Sequence, residues 1–104
     1  MTKYVLLYTG GGMPEGEAEQ ANVMQAWHTW MGSLGSALSD GGNPFSNAKS
    51  IASNGSVGDA PVGVRATGYS VLSADSLDAA VKLAKGCPIL ASGGQVSVYE
   101  TVEM

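Results

Sequence analysis

The stretch that dominates the pattern of this chain is residues 20–38, QANVMQAWHTWMGSLGSAL, which leads into DGGNPF at residues 40–45. Its large apolar residues recur every three or four positions: Val23, Met24, Trp27, Trp30, Met31, Leu34 and Leu38. Such spacing is typical of a helix that buries one face. We therefore predict one long amphipathic helix that starts near Ala18 and runs up to the turn-forming residues after Leu38.

Shorter apolar runs around this helix predict four strands, at residues 3–9, 48–53, 64–72 and 95–102. A second helix is predicted between an N-cap at Asp75 and a terminating glycine at Gly86. The order strand, helix, strand, strand, helix, strand is that of the ferredoxin-like plan. The sequence thus predicts an α+β fold, βαββαβ with an antiparallel four-stranded sheet, in a single domain over residues 1–104.

The first predicted strand is apolar on both of its faces. Tyr4, Leu6 and Tyr8 alternate with Val5 and Leu7. Two helices on one side of the sheet leave the other side uncovered, so an apolar strand there needs a second cover. Only 13% of the residues are charged. We therefore expect a homodimer in which the sheets of two copies pack together.

Composition argues against several classes of function. The net charge is −4, and the five lysines and arginines form no basic stripe, so nucleic acid is not an expected partner. The one cysteine, Cys87, cannot form an internal disulfide, and one histidine with dispersed carboxylates predicts no metal site. Gly10, Gly11 and Gly12 lack the spacing of a phosphate loop, and no cofactor is expected. With neither a signal peptide nor an apolar run of membrane-spanning length, the expected location is cytoplasmic.

Three stretches resemble the YCII-related family, most closely its DGPF-type members: residues 68–80 (GYSVLSADSLDAA), 86–88 (GCP) and 93–100 (GGQVSVYE). The opening KYVLLY at residues 3–8 and DGGNPF at residues 40–45 also fit, although Gly42 and Asn43 interrupt the Asp-Gly-Pro-Phe signature. The resemblance implies a ferredoxin-like subunit that forms a dimeric α/β barrel. A few YCII-like proteins resemble small-molecule lyases or dehydrochlorinases. Family members carry a His on the first helix and an Asp after it, proposed as a catalytic pair, which implies His28 and Asp40 here.

Five side chains are candidates for a site on their own chemistry. His28, the only histidine, is the only side chain whose ordinary pKa suits proton transfer near neutrality, but it lies at the margin of the apolar stripe, where a half-exposed histidine is also common. Asp40 can assist it, or can accept backbone N–H bonds in its own turn. Asn43 can bind a ligand or form the turn. Trp30 can wall a pocket or anchor the core, and Tyr8 can present a hydroxyl or pack between subunits.

Two functions remain open, and a third possibility is that the protein serves only as a structural dimer. One is a cofactor-free lyase or isomerase with a small-molecule pocket between the first helix and the sheet, in which His28 moves a proton and Asp40 assists. The other is a non-catalytic module that binds a small organic ligand or regulates a partner. In both, Asn43, Trp30 and Tyr8 are the expected ligand contacts.

Overall fold

The computed structural model describes residues 1–104 and contains two helices and six strands. In chain order these are β1 (Thr2–Thr9), α1 (Glu17–Leu34), β2 (Leu38–Asp40), β3 (Ser50–Ile51), β4 (Val57–Gly58), β5 (Ala66–Ala74), α2 (Leu77–Ala84) and β6 (Gln95–Glu100). Short 3₁₀ turns follow α1 at Gly35–Ala37 and precede β6 at Pro88–Leu90. Neither helix is both long and apolar enough to cross a membrane.

Four strands form the main sheet, in the order β2-β5-β1-β6 with every neighbouring pair antiparallel. This confirms the predicted α+β fold with an antiparallel four-stranded sheet, and the strand order is compatible with the ferredoxin-like plan. The two remaining strands, β3 and β4, pair only with each other and form a separate small hairpin.

The first helix is shorter than predicted, because the backbone reverses at Gly35, which has a φ of 55° and a ψ of −126°. A positive φ is easily reached only by glycine, so the helix stops there. Leu38, predicted on the helical stripe, instead begins β2 opposite Leu72. Its side chain still packs against the same hydrophobic core, which explains why the helical spacing included it.

The predicted second strand of the sheet, at residues 48–53, is wrong. The position beside β5 belongs to β2, and Ser50–Ile51 pairs with β4 in the hairpin. Ile51 is 73% exposed, so this short apolar run has no core face to bury. The start of α2 also differs by one residue, because the Ser76 hydroxyl, and not Asp75, accepts a hydrogen bond from the Ala79 N–H at 3.1 Å.

Both helices pack on one face of the sheet. Leu6 and Tyr8 of β1 and Leu72 of β5 share one hydrophobic cluster with residues of α1 and α2, among them Trp30, Leu34 and Ala84. The strand register places these strand residues on the same side, since Leu72 lies opposite Tyr4 and Leu6 lies opposite Val98. The core is therefore a single layer between the helices and this face.

The other side of the sheet, which we call the open sheet face, carries Val5, Leu7, Tyr69, Val71 and Tyr99. These side chains are neighbours across the strands, because Val5 lies between Val71 and Tyr99 and Leu7 lies opposite Tyr69. Tyr99 is 52% exposed, and the other four are partly buried. The ring of Phe45 stacks on Tyr69, with centroids 5.7 Å apart and an interplanar angle of 18°. Neither helix covers this face.

Candidate functional site

A cavity of about 370 Å³ opens between α1, the turn that follows β2, and β5. Its apolar lining comes from Tyr8, Met13, Met24, Trp27, Met31 and Ile89. The remainder is formed by residues 41–44 of the turn, residues 67–70 of β5, and His28. The cavity lies between the first helix and the sheet.

One face of α1 supplies four of the lining residues. Met24, Trp27, His28 and Met31 are spaced at i, i+3, i+4 and i+7, and residues at this spacing lie on the same side of a helix. The deeper residues of the same helix, Trp30 and Leu34, are buried in the core. The helix therefore divides its apolar surface, with one part packed on the sheet and the margin left for the cavity.

The wall opposite the helix is the turn after β2, held closely against β5. The Asp40 carboxylate accepts a hydrogen bond from the Gly42 N–H at 2.9 Å, and the Tyr69 N–H donates to the Asn43 carbonyl at 3.2 Å. Gly42 has a φ of 74°, and a Cβ atom there would lie 1.7 Å from the Tyr69 carbonyl oxygen. Only glycine allows so close an approach of two backbones, so this position shapes the wall.

A buried hydrogen-bond chain ties the wall to the sheet. The Tyr8 hydroxyl donates to Ser70 Oγ at 2.8 Å, and the Ser70 hydroxyl donates to the Gly41 carbonyl at 2.7 Å. Burial raises the pKa of Tyr8 well above the usual range of a phenol, and it also raises the pKa of the neighbouring Cys87 thiol. Both groups are therefore neutral near pH 7, and neither serves as an anionic nucleophile or base.

The structure brings three of the five predicted site residues together. Tyr8, His28 and Asn43 all line the cavity, and neither the His28 ring nor the Asn43 side-chain amide makes a hydrogen bond within the chain. Asp40 does not line the cavity, and there is no hydrogen bond or ion pair between it and His28. Its carboxylate bonds its own turn instead, which is the second of the two roles considered for it.

Trp30 lies in the core. It is 7% exposed, its indole N–H donates to the Leu83 carbonyl at 3.1 Å, and it does not line the cavity. The indole at the cavity belongs to Trp27, whose ring meets Tyr8 edge to face, with centroids 5.3 Å apart and an angle of 78°. Trp27 also meets Trp30 at 5.8 Å and 80°. Trp27 is therefore held between two perpendicular rings.

Sequence reasoning missed the methionines and Ser70 as parts of the site. Met24 and Met31 were assigned to the buried helix stripe, and Met13 lies in a loop that carries no periodic signal. Ser70 had a usable signal, because strict alternation along β5 places it on the same side as Leu72. A serine at an inward position of a strand needs a hydrogen-bond partner.

No acidic side chain, lysine or arginine lines the cavity. The structure also holds no group of three or more His, Cys, Asp or Glu side chains placed to bind a metal ion. The side-chain polar groups at the cavity are thus an imidazole, an amide and hydroxyls, which can exchange hydrogen bonds with a ligand.

Comparison with known proteins adds no family assignment to this geometry. A scan against models of protein families found no model that matches the chain. A search of curated proteins found no similar sequence. The resemblance to the YCII-related family therefore stays a prediction from the motifs quoted above.

Proposed function

We propose that this protein is a YCII-like homodimer, of the dimeric α/β barrel type, that binds a small organic molecule in the cavity between α1 and the sheet. The observation that carries the proposal is a preformed, largely apolar cavity whose lining also includes the solvent-exposed residues His28 and Asn43, whose side chains make no hydrogen bond within the chain. Small-molecule sites usually combine an apolar lining with a few convergent polar groups. The motifs that resemble the YCII-related family support the same assignment.

Binding without catalysis is the better-supported form of this proposal. Acid–base catalysis by a histidine usually requires a second group that orients or charges the imidazole. The partner predicted for it, Asp40, is bonded to the Gly42 N–H and does not line the cavity, and the lining contains no carboxylate. A cofactor-free lyase or isomerase is the second candidate, and the observation that favours it is the position of His28 on the cavity wall.

The homodimer is proposed from the open sheet face. Five neighbouring apolar or aromatic side chains there, Val5, Leu7, Tyr69, Val71 and Tyr99, have no cover from either helix. Soluble monomers seldom expose contiguous apolar patches beyond a few hundred Å². Packing two copies face to face would bury roughly 1,200 Å² or more in total, the size of a stable interface.

The binding proposal is tested with a thermal-shift screen of small organic molecules on the wild type and two tryptophan variants. Met24→Trp inserts bulk into the cavity, whereas Gln25→Trp adds the same bulk at the next position, which does not line it. A ligand present at one hundred times its Kd stabilises the folded state by about 2.7 kcal/mol. We expect compounds that raise the Tm of the wild type and of Gln25→Trp but not of Met24→Trp. A screen without such compounds, or with equal shifts in both variants, rejects the proposed cavity.

The dimer is tested by sedimentation velocity at micromolar concentration. Leu7→Lys places a charge at the centre of the open sheet face, and Gln25→Lys is the control on the exposed side of α1. We expect a dimer for the wild type and the control and a monomer for Leu7→Lys, because an unpaired buried charge is strongly unfavourable. A monomeric wild type would refute the interface.

Catalysis is separated from binding by His28→Gln. Glutamine keeps hydrogen-bonding capacity but cannot transfer a proton near neutral pH. For any compound found in the screen, product formation is followed by NMR. Turnover that disappears in His28→Gln while binding persists would favour the lyase or isomerase, and unchanged compound in the wild type favours the binding module.

A further inference from the structure

We propose that the ligand of this cavity is a neutral, flat aromatic molecule that carries one hydrogen-bonding group. The inference rests on the proposed small-molecule function and names the class of molecule that the same cavity accepts. Three properties of the lining carry it: the absence of charge, the arrangement of rings and thioethers, and the position of the unpartnered polar groups.

The neutral charge of the ligand follows from the lining. No lysine or arginine reaches the cavity to pair with a carboxylate or phosphate, and no aspartate or glutamate reaches it to pair with an amine. The phenol of Tyr8 is uncharged near neutral pH and already donates its proton to Ser70. An ionised ligand would thus lose hydration without meeting a permanently charged partner, which is costly in an apolar site. The net charge of −4 adds a long-range repulsion for anions.

The preference for a flat ring follows from Trp27 and the methionines. Trp27 lines the cavity and is fixed by edge-to-face contacts with Tyr8 and Trp30, so its ring is held in one orientation before a ligand arrives. All three internal methionines of the chain, Met13, Met24 and Met31, also line the cavity. Thioether sulfur makes favourable contacts with aromatic rings, and the flexible side chain adapts to ring substituents. Aromatic ligands gain from both features, whereas saturated ones gain only from burial.

The hydrogen bonds within the chain indicate how many polar groups the ligand carries. The hydroxyl protons of Tyr8, Ser70 and Thr67 are donated within the chain, to Ser70, Gly41 and Gly10 respectively. The ring of Tyr69, the remaining hydroxyl residue of the lining, stacks on Phe45 at the open sheet face. The His28 imidazole and the Asn43 amide have no such partners and lie on the same cavity. A hydroxyl or carbonyl on the ligand can therefore be bound by His28 on the helix wall or by Asn43 on the turn wall opposite it.

The cavity is large enough for a small ring system. At about 30 Å³ for each molecule of liquid water, 370 Å³ corresponds to roughly a dozen waters. This volume admits one ring or two fused rings with small substituents.

Three probes with the same two-ring skeleton test the inference by calorimetric titration near pH 7. 2-Naphthol is flat and neutral, 2-naphthoate is flat and anionic, and 2-decalol is neutral but saturated and puckered. We expect 2-naphthol to bind about tenfold or more tighter than either of the others, which corresponds to a difference of at least 1.4 kcal/mol. Binding should disappear in Met24→Trp and persist in Gln25→Trp.

A different result would overturn each proposed property of the ligand. Equal or tighter binding of 2-naphthoate overturns the neutral class, and equal or tighter binding of 2-decalol overturns the requirement for a ring. If binding is still lost in Met24→Trp, the proposed cavity survives either result. Failure of all three probes overturns the ligand class while leaving the proposed function intact, provided that some other compound from the thermal-shift screen binds. Failure of the probes and of the screen overturns both.

Two substitutions of Trp27 then test whether this residue provides the aromatic contact with the ligand. Trp27→Phe keeps an aromatic ring, whereas Trp27→Leu removes it, and the ratio of 2-naphthol to 2-decalol affinity is compared in the two variants. We expect the ratio to survive in Trp27→Phe and to fall about threefold or more in Trp27→Leu, in line with the strength of aromatic pairs. Since both variants lose the indole, an equal fall in both would show that the ring preference does not arise from aromatic contact at this position.

Discussion

Replacing Ser70 by alanine should weaken the whole wall of the cavity, because one buried hydroxyl joins two elements there. Ser70 is fully buried, accepts a hydrogen bond from the Tyr8 hydroxyl at 2.8 Å, and donates to the Gly41 carbonyl at 2.7 Å. Alanine fits the same space but leaves both partners unpaired. A buried polar group that loses its partner costs about 1–3 kcal/mol.

The two unpaired groups do not cost the same. Tyr8 is 5% exposed, so its hydroxyl cannot turn to bulk water and bears the full penalty. Gly41 is partly exposed, so its carbonyl can recover hydration. We therefore expect Ser70→Ala to lower the free energy of unfolding by about 2–3 kcal/mol. For a domain of this length the Tm should fall by roughly 10–20 °C.

The measurement is urea unfolding followed by tryptophan fluorescence, at one fixed protein concentration because dimerisation also contributes to stability. Ser36→Ala is the control, since Ser36 lies exposed in the 3₁₀ turn after α1 and makes no side-chain hydrogen bond; its effect should stay within about 0.5 kcal/mol. Tyr8→Phe removes the unpaired hydroxyl, so the double variant should cost about 1 kcal/mol less than the sum of the singles. A Ser70→Ala cost below about 0.5 kcal/mol, or strictly additive costs, would refute this reasoning.

Two further predictions concern ionisation and backbone geometry. Burial raises the pKa of both Tyr8 and Cys87, so each contributes stability that is complete below its unfolded pKa, about 10 and about 8.5, and that is lost as the pH rises above it. Urea titrations from about pH 7 to about pH 11 should show a smaller alkaline loss in the Tyr8→Phe/Cys87→Ala variant than in the wild type, and identical losses would contradict the assignment. Gly42 and Gly63 have nearly equal φ angles, 74° and 76°, but a Cβ would meet the Tyr69 carbonyl at Gly42 and nothing within 4 Å at Gly63. Gly63→Ala should therefore cost only the strain of a positive φ, about 1 kcal/mol, and Gly42→Ala clearly more in the same unfolding assay; equal costs would show that the close approach is not maintained.

Much of the fold follows from local pattern. The apolar spacing of residues 20–34 predicts α1, and the alternation along β1 predicts that both faces of that strand need covering. Asp75 and Ser76 mark the start of the second helix, and Gly86 and Pro88 mark its end. These features depend on neighbours within a few positions, so they can be read without a tertiary structure.

The identity of β2 could not be read in that way. Leu38 satisfies the helical period and also the alternation of a strand, and Ile51 lies in a run that looks equally suited to a sheet. Which of the two segments pairs with β5 depends on a turn at Gly35 and on a partner strand about thirty residues away. Strand pairing depends on contacts between segments that are far apart in the chain, and the local spacing of apolar residues does not show which segments pair.

The site shows the same division. The sequence predicts His28 from its position at the margin of the apolar stripe, Asn43 from the turn that it forms, and Tyr8 from the hydroxyl that a strand residue can present. Trp27 and Trp30 are three residues apart and equally apolar, so spacing alone could not say which one faces the cavity. The tertiary structure decided it, because the Leu83 carbonyl accepts the indole N–H of Trp30 and holds that ring in the core. The tertiary structure also decided the role of the Asp40 carboxylate. The turn brings the Gly42 N–H within hydrogen-bond distance of it, so Asp40 stabilises its own turn and makes no bond to His28.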